Sequence, residues 1–318
     1  MKKALITGIT GQDGAYLAKL LLNKGYTVIG TSRDASISTL ANLKKLQIQD
    51  KVSMETMSLD DFNSVLHVVV KNKPDEIYNL AGQSSVGLSF EQPLATYESN
   101  MIGTLNLLEA IRFSNSNIKF YNAGSSECFG DTENRTVDEN SRFMPVSPYG
   151  VAKSAAFWQV DNYRKAYNLF LVTGILFNHE SGLRPERFVT RKIIATACRI
   201  YNGSNEKLSL GDLSIKRDWG WAPEYVEAMW KMLQHQEPID FIIATGETNS
   251  LQEFVIEAFS QLNLNWEDHV MVDKNLFRPS DLKLGKADPS MAKKLLAWES
   301  KVKLKELISI LIKEELSV

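Results

Sequence analysis

Three glycines near the amino terminus constrain the fold of this chain most strongly. Gly8, Gly11 and Gly14 stand three residues apart in "TGITGQDGAYL", directly after the apolar run "ALIT". A strand, a glycine turn and a helix in this order suit a dinucleotide diphosphate, because the turn brings the backbone close and the helix N terminus offers free N–H groups. Glycines also build ordinary turns, so the spacing alone leaves both interpretations open.

Strand-like and helix-like segments alternate over the first 175 residues. Strands are predicted at "KALIT", "YTVIGTS", "EIYNLAG", "IKFYNAGSS" and "LFLVTGILF". Helices are predicted at "DGAYLAKLLLNKG", "DDFNSVLHVVVKNK", "ESNMIGTLNLLEAIRFS" and "SPYGVAKSAAFWQVDNYRKAYN". Gly25 is expected to end the first helix. The alternation predicts right-handed βαβ crossovers and an α/β fold, a Rossmann-type doubly wound parallel sheet.

The pattern changes after about residue 179. "HESGLRPERFVTRK" is polar and loop-like, and "EYVEAMWKMLQ", "DFIIAT" and "LKELISILIKE" then mix helices with a strand. We expect residues 1–178 to form the dinucleotide-binding domain and residues 179–318 a smaller mixed α/β substrate region. No clean linker is visible, so the segments of the two parts are expected to interleave.

Composition excludes several classes of protein. The net charge is −2, which argues against nucleic acid or an anionic membrane as partner. Two cysteines, Cys128 and Cys198, are too few for a disulfide framework or a zinc cluster and fit a reducing compartment. The apolar stretch at the start is too short for a signal peptide, and no apolar run is long enough to span a membrane. We expect a cytoplasmic protein without a metal site.

The segment "YGVAK" places Tyr149 and Lys153 four residues apart, on one face of a helix. A nearby ammonium is expected to lower the pKa of the phenol, so that Tyr149 can accept a proton from a sugar hydroxyl while a nicotinamide takes the hydride. The alternative is an ordinary turn of an exposed amphipathic helix.

The segment "NAGSSECFG" follows a predicted strand, where α/β sheets place their chemistry. Ser125 can share a hydrogen bond with Tyr149 and a substrate. Glu127 can remove a C–H proton beside a carbonyl, which hydride transfer alone does not require. The alternative role for Glu127 is to cap the loop. Cys128 has no evident activating histidine and is expected to serve packing.

The end of the second predicted strand reads "TSRD" and bears on the choice of cofactor. A carboxylate there binds the ribose hydroxyls of NAD, whereas an arginine accommodates the 2′-phosphate of NADP. Arg33 favours NADP, and Asp34 keeps NAD as the alternative. A solvated turn with a local ion pair is the interpretation without a cofactor.

Longer stretches share a family pattern from residue 3 to about residue 300. They are "TGITGQDGAYLAKLLLNKGY", "QSSVGLSFEQP", "GTLNLLEAIR", "SSECFG", "PYGVAK", "GILFNHES", "FVTRKI", "RDWG" and "FRPSDL". In these stretches the chain resembles the GDP-mannose 4,6-dehydratases, in the extended branch of the short-chain dehydrogenase/reductase superfamily. The resemblance implies a GDP-sugar substrate, NADP as cofactor, and a homodimer or homotetramer.

The resemblance also assigns roles to single residues. It implies that Ser125, Glu127, Tyr149 and Lys153 are catalytic. The residues implied for cofactor binding are Gly8, Thr10, Gly11, Gln12, Asp13, Gly14, Arg33, Leu80, Ala81, Tyr149 and Lys153. The residues implied for substrate binding are Ser84, Ser85, Asn178, Lys192, Arg217 and Arg278. An arginine fork suits diphosphate oxygens, although Arg217 stands beside Asp218 and a structural ion pair is the alternative.

The reaction implied by the resemblance is a net loss of water. Tyr149 deprotonates the C4 hydroxyl as the hydride leaves C4, Glu127 removes the C5 proton as water leaves C6, and the hydride returns to C6. Departures from the family pattern at Ser58, Ser85, Trp221 and "SGLRPERF" suggest a related substrate, a GDP-heptose or another GDP-hexose. A nucleotide-sugar 4-reductase or epimerase is the alternative enzyme, and a non-catalytic NADP sensor is the alternative outside enzymes.

Overall fold

The structure is a computed structural model that describes residues 1–114, 117–133, 135–277 and 280–317. Its strands are β1 (Lys3–Thr7), β2 (Thr27–Ser32), β3 (Ser53–Thr56), β4 (Glu76–Asn79), β5 (Lys119–Ala123), β6 (Leu171–Leu176), β7 (Asn178–Glu180), β8 (Leu208–Leu210), β9 (Lys216–Arg217), β10 (Trp219–Trp221), β11 (Phe241–Ile243), β12 (Asn249–Ser250) and β13 (Val270–Val272). Its α-helices are α1 (Gln12–Asn23), α2 (Ala41–Lys45), α3 (Phe62–Asn72), α4 (Val86–Glu91), α5 (Pro93–Tyr97), α6 (Gly103–Ser114), α7 (Pro148–Tyr167), α8 (Val189–Tyr201), α9 (Ala222–Gln234), α10 (Leu251–Ser260), α11 (Ser290–Leu296) and α12 (Leu304–Leu316).

Seven parallel strands form the central sheet, in the order β3–β2–β1–β4–β5–β6–β11. Thr7, at the end of β1, lies between Thr31 of β2 and Asn79 of β4. The strand order reverses at this point, so the loops that follow β1 and β4 diverge and leave a crevice at the carboxyl edge of the sheet. The predicted Rossmann-type fold is confirmed.

Helices cover both faces of the sheet because its central strands are apolar on both sides. On one face, α1 and α9 pack through side chains such as Leu17 and Met229. On the other face, α3, α6 and α7 contribute side chains such as Val65 and Leu107. Among the described residues, no helix is both long enough and apolar enough to span a bilayer.

The carboxyl-terminal part of the chain is divided between two cores. Helices α8, α10 and α12 pack around a core of their own. In contrast, β11 joins the central sheet and α9 packs against it, although we expected both in the smaller region. The reason is burial: Phe241, Ile242 and Ile243 are 0% exposed, as a strand covered on both faces requires. The division at residue 178 stays a prediction, and these two elements cross it.

Two local features show where the sequence pattern predicts the structure and where it does not. Gly25, with φ of +82°, follows the end of α1 at Asn23 as predicted, because glycine adopts this left-handed conformation without strain. The edge strand β3, "SMET", was not predicted, because a short and partly exposed strand leaves only a weak apolar signal.

Candidate active site

At two glycines of the turn after β1, the backbone is packed too tightly for a side chain. Gly8 has φ of +67°, and a Cβ on it would lie 2.9 Å from backbone atoms of Leu80 and Ala81. A Cβ on Gly14 would lie 2.4 Å from the carbonyl oxygen of Gly8. Gly11, the N-cap residue of α1, has no side chain to accept from the first-turn N–H groups. The turn therefore fits the diphosphate of a dinucleotide.

Hydrogen bonds join the loop after β4 to the end of β1. The hydroxyl of Thr7 donates to Asn79 Oδ1 at 2.9 Å and accepts from the backbone N–H groups of Leu80 and Ala81 at 3.1 Å each. Leu80 and Ala81, which are predicted to contact the cofactor, therefore line the crevice beside the glycine turn. Thr10 lies in the same turn, where its carbonyl accepts from Asn42 Nδ2 at 2.9 Å.

Other predicted ligand residues lie in the loops that flank this crevice. Ser85 caps α4 by accepting from Leu88 N at 3.3 Å, and its neighbour Ser84 is exposed. After β2, Arg33 and Asp34 are both exposed. The carboxylate of Asp34 accepts from the backbone N–H and the hydroxyl of Ser36 at 2.9 and 2.6 Å. Asp34 is thus engaged within its own loop.

A short 3-10 turn, Ser126–Phe129, follows β5 and carries the predicted acid/base residue. Ser125 caps this turn by accepting from Glu127 N at 3.3 Å. Glu127 itself is half-buried. A Cβ on Gly150 would lie 2.8 Å from the carbonyl oxygen of Glu127, so only glycine lets the first turn of α7 rest directly on the 3-10 turn. This contact brings Tyr149 to the Ser125–Glu127 segment.

The start of α7 is fixed by its cap. The hydroxyl of Ser147 accepts from Gly150 N at 3.0 Å, and Pro148 occupies the first helical position. Tyr149 and Lys153 follow on one buried face, with exposures of 8% and 9%. Lys153 Nζ donates to the carbonyl of Ala123 at 2.9 Å and lies 5.8 Å from the ring centroid of Tyr149.

Burial controls the protonation of this pair. It raises the pKa of Tyr149 above the ordinary phenol value, although the hydrogen bond from Ser125 acts in the opposite direction. Our expectation of a lowered pKa for Tyr149 is therefore wrong for the protein alone, because the loss of hydration outweighs the neighbouring groups. Burial also lowers the pKa of Lys153 to about 8.

Cys128, beside these groups, is a packing residue. Its thiol is buried, lies 3.9 Å from the carbonyl oxygen of Gly150, and has its pKa raised to about 11 by burial. A thiol with this pKa is a poor nucleophile at neutral pH.

The residues predicted to bind the sugar nucleotide come from the second half of the chain. Asn178 begins β7, and Lys192 Nζ donates to the carbonyl of Ser209 at 2.7 Å. Arg217 lies with Nη2 3.6 Å from Asp281. Asp218 instead accepts from the N–H groups of Thr245 and Gly246, so the ion pair of Arg217 is made with Asp281. Arg278 lies outside the described residues.

Comparison with known proteins places the chain in a family. The family model described as GDP-mannose 4,6 dehydratase matches residues 5–311. The chain belongs to this family. GDP-mannose 4,6 dehydratase 1 of Arabidopsis thaliana is 45% identical over 327 residues, which cover 100% of this chain and 90% of that protein.

Solved structures share the fold of this GDP-mannose 4,6-dehydratase family member. The dTDP-glucose 4,6-dehydratase of Bacillus anthracis, in complex with NAD, has a TM-score of 0.86 at 20% identity and covers 100% of this chain and 97% of that one. RMD of Pseudomonas aeruginosa, complexed with NADPH, has a TM-score of 0.82 at 19% identity and covers 100% and 99% of the two chains.

One set of contacts in this family member went unpredicted. Asp13 Oδ2 lies 2.9 Å from His179 Nε2, and Gln12 Nε2 donates to the carbonyl of His179 at 3.1 Å. Gln12 Oε1 accepts from the hydroxyl of Ser181 at 2.8 Å. The first turn of α1 is thereby bound to β7. No local signal reveals these partners, because Asp13 and His179 are 166 residues apart in the sequence.

Arg184 was also missed. Its Nε lies 3.0 Å from Glu180 Oε2, and its guanidinium lies over the ring of Phe188 at 4.0 Å. The positive charge of Arg184 acts on Asp13 and on Tyr149, in both cases toward a lower pKa. Through Arg184, the segment "SGLRPERF" therefore acts both on the glycine turn at Asp13 and on the catalytic candidate Tyr149.

Proposed function

We propose that the chain is a GDP-sugar 4,6-dehydratase, a lyase that converts GDP-mannose, or a related GDP-hexose or GDP-heptose, to its 4-keto-6-deoxy derivative. The observation that carries the proposal is the position of Glu127. Its carboxylate belongs to the turn against which Tyr149 and Ser125 pack. Oxidation at C4 needs the tyrosine and a hydride acceptor, whereas loss of the C5 proton needs a further base.

The chain's own residues supply the proton transfers. Tyr149, hydrogen-bonded to Ser125, accepts the proton of the C4 hydroxyl. Since burial raises the pKa of Tyr149, the positive charge of Lys153 is needed to favour the phenolate, which is the form that accepts this proton. Glu127 takes the C5 proton, made acidic by the 4-keto group, and passes it to the C6 hydroxyl, which leaves as water. A nicotinamide held at the glycine turn would supply the acceptor for the C4 hydride and the hydride donor to C6. The proton that Tyr149 accepted is then available to return to C5, so the balance is the loss of one water.

The substrate is proposed to extend from these groups toward the second half of the chain. Ser84 and Ser85 would flank the sugar, and Asn178, Lys192, Arg217 and Arg278 would bind the nucleotide. Arg217 supports this assignment, because its neighbours hold the guanidinium in place: Nη1 donates to the carbonyl of Lys216 at 3.0 Å and Nη2 lies 3.6 Å from Asp281. A planar guanidinium held in this way suits diphosphate oxygens.

NADP is proposed as the cofactor, bound by the glycine turn, Thr10, Gln12, Asp13, Leu80, Ala81 and Arg33. Asp34 is engaged with Ser36, which leaves Arg33 to contact a 2′-phosphate.

We expect Arg33→Ala to raise the Kd of NADP+ by about tenfold while the Kd of NAD+ stays nearly constant. Fluorescence titration of both cofactors measures this, with Lys51→Ala, at another exposed cation, as control. An equal effect on both cofactors would contradict the NADP assignment.

We also propose two parts of the chain. Residues 1–178 form the dinucleotide-binding part and residues 179–318 the nucleotide-sugar part, with β11 and α9 packing back into the first part.

A cytoplasmic homodimer or homotetramer is proposed on the same family grounds. Light scattering of the purified protein tests the oligomeric state, and a monomer would contradict it.

Incubation of the protein with GDP-mannose and a trace of NADP+, followed by mass spectrometry, tests the proposed function. We expect a product lighter by one water and no stoichiometric formation of NADPH. If only a GDP-heptose loses water, the substrate assignment changes within the proposal. Consumption of NADPH with a 4-keto sugar would indicate the reductase, and NADP(H) binding without any turnover would indicate the sensor.

A further inference from the structure

A fully buried carboxylate lies between β9 and β10. Asp218 is 0% exposed and separates Arg217, the last residue of β9, from Trp219, the first residue of β10. Arg217 is proposed to bind the diphosphate of the substrate. Trp219 pairs with Asn178 of β7, another residue proposed to bind the nucleotide. The position of Asp218 therefore affects the backbone at two proposed substrate contacts.

The carboxylate of Asp218 binds the loop that follows β11. Its Oδ1 accepts from the backbone N–H of Thr245 at 2.9 Å, and its Oδ2 accepts from that of Gly246 at 2.8 Å. Gly246 has φ of +77°, and successive N–H groups in a left-handed loop of this kind bind anionic oxygens. One carboxylate with two acceptor oxygens therefore holds the β9–β10 segment to this loop.

A second attachment joins the same two segments. Arg217 pairs with Asn249 of β12, the strand that follows the same loop. The guanidinium of Arg217 is directed separately, by the carbonyl of Lys216 at 3.0 Å and by Asp281 at 3.6 Å. Asp218 thus acts on the backbone from which Arg217 extends, whereas Asp281 acts on the charged end of the side chain.

We propose that Asp218 is a positioning residue for the nucleotide end of the substrate: its carboxylate fixes the backbone at Arg217, so that the guanidinium meets the diphosphate of a GDP-sugar in one orientation. A displaced guanidinium would lose part of this contact, because two parallel hydrogen bonds to phosphate oxygens require a strict geometry. Asp218 acts through Arg217 and is not a catalytic residue. This inference rests on the proposed function, because it presupposes that Arg217 binds a diphosphate.

Fold stability alone does not account for an ionised carboxylate at this position. Burial raises the pKa of Asp218 to about 6, although the loop N–H groups and the charge of Lys303 act in the opposite direction. A carboxyl group whose pKa is raised by folding loses its contribution to stability as pH rises through that pKa. At neutral pH, the ionised form instead supplies two acceptor oxygens to the loop. Protonation converts one of them to an O–H donor, which opposes the N–H group that it faces.

Several charged or titratable groups surround Asp218. They are Arg217 of β9, Tyr225 of α9, His179 of β7 behind Tyr225, and Lys303 before α12 with its partner Glu247. Lys303 Nζ also donates to the carbonyl of Thr245 at 2.7 Å, so its charge lies at the same loop. Burial raises the pKa of Tyr225 well above the ordinary value, so this phenol stays neutral. The pKa of His179 is raised because the carboxylate of Asp13 outweighs burial, and His179 therefore titrates in a neighbouring range.

Asp218→Asn keeps the size of the side chain but only one acceptor oxygen, and calorimetric titration with GDP-mannose, without added NADP+, measures its effect. We expect the Kd of GDP-mannose to rise by about tenfold at neutral pH, the loss of part of a charge-assisted contact. The Kd of NADP+ should change less than about twofold, because its proposed site is separate. Asp288→Asn is the matched control, since that carboxylate is exposed and accepts from Ser290 N at 2.9 Å. Circular dichroism checks that each variant is folded.

The pH profile gives a second readout that leaves Asp218 in place. As pH falls through about 6, Asp218 becomes protonated while the diphosphate of GDP-mannose stays ionised, so the wild-type Kd is expected to rise. Asp218→Asn should lack this rise. Lys303→Met removes a charge that lowers the pKa of Asp218, so the rise should begin at higher pH. His179 titrates in all three proteins, and the differences between their profiles therefore isolate Asp218.

The outcomes separate this inference from the proposed function. Wild-type affinity for GDP-mannose in folded Asp218→Asn, or an equal loss of GDP-mannose and NADP+ binding, would overturn the inference. An acidic rise in Kd that persists in Asp218→Asn, or that does not move in Lys303→Met, would overturn it as well. If the wild-type protein binds neither GDP-mannose nor GDP, the proposed function fails first and the inference falls with it.

Discussion

Among single residues, Glu127 decides the proposed reaction more than the tyrosine–lysine pair does. The roles proposed for Tyr149, Lys153 and Ser125 would serve any reaction that oxidises a sugar hydroxyl. Glu127 distinguishes dehydration, because a 4-reductase has no C5 proton to remove. Its turn lies against Gly150, the residue after Tyr149, and this position would bring the proposed base to the same carbon skeleton.

Glu127→Gln keeps the size of the side chain and removes the base. We expect the kcat of dehydration to fall by about 10² to 10⁴, because a positioned general base contributes on this order. The Kd of NADP+ should stay unchanged. Glu133→Gln is the control, since the Glu133 side chain is 78% exposed and lies in the following loop. Full dehydratase activity in Glu127→Gln would refute the assignment of the base.

At the scale of secondary-structure elements, the site depends on how closely α7 approaches the 3-10 turn. Gly150 makes this approach possible, because a Cβ there would lie 2.8 Å from the Glu127 carbonyl oxygen and 3.1 Å from Pro145 Cβ. The separation of Tyr149 from Glu127 is therefore set by a backbone contact, and a small displacement of α7 changes both catalytic distances together.

Gly150→Ala should push α7 away from the turn. Since a misplacement of about 1 Å can cost about 10²-fold in rate, we expect a kcat loss of this order with the far-ultraviolet circular dichroism retained. Gly87→Ala is the matched control, because a Cβ on Gly87 meets no atom within 4 Å. Wild-type kcat in a folded Gly150→Ala protein would show that this contact does not set the geometry.

The elements were predictable from the sequence to the extent that their signals are local. The glycine turn, α1 with its stop at Gly25, and the helix that carries Tyr149 follow from spacing and periodicity over a few turns. The position of β11 beside β6 was missed, because an apolar run of three residues does not reveal which sheet it joins. The Asp13–His179 pair was missed for the same reason, since sequence spacing does not record contacts between distant segments.

The pKa of Tyr149 was mispredicted for a different physical reason. The sequence shows that Lys153 shares a helix face with Tyr149, but it does not show how deeply either side chain is buried. At 8% and 9% exposure, the loss of hydration dominates both groups. Sequence spacing alone therefore does not predict the direction of such a pKa shift, because the shift also depends on how deeply each side chain is buried.

Across the whole molecule, one ion pair joins β11, the last strand of the central sheet along the sequence, to helix α7. Arg164 of α7 donates to both oxygens of Asp240, the residue before β11, at 2.9 and 2.6 Å. Asp240 also accepts from the backbone N–H of Thr173 in β6 at 2.6 Å. The side chains of Arg164 and Asp240 are 14% and 13% exposed, so water screens this pair weakly.

Asp240→Ala should lower the free energy of unfolding by about 3 kcal/mol, because it leaves a mostly buried guanidinium without its main partner. We expect a single transition in urea, since β11 is part of the central sheet. Lys165→Ala removes the exposed Lys165–Asp161 pair and should cost less than about 1 kcal/mol. Separate transitions, or equal effects of the two variants, would contradict the view that β11 stabilises the whole sheet.

The proposed reaction removes water from a GDP-sugar while the redox cofactor is regenerated in every turnover. Incubation with GDP-mannose deuterated at C4 and a trace of NADP+, followed by mass spectrometry and NMR, follows the transferred hydrogen itself. We expect a product lighter by one water that carries the deuterium at C6, without net NADPH. Loss of the deuterium to solvent, or its accumulation in stoichiometric NADPH, would contradict it.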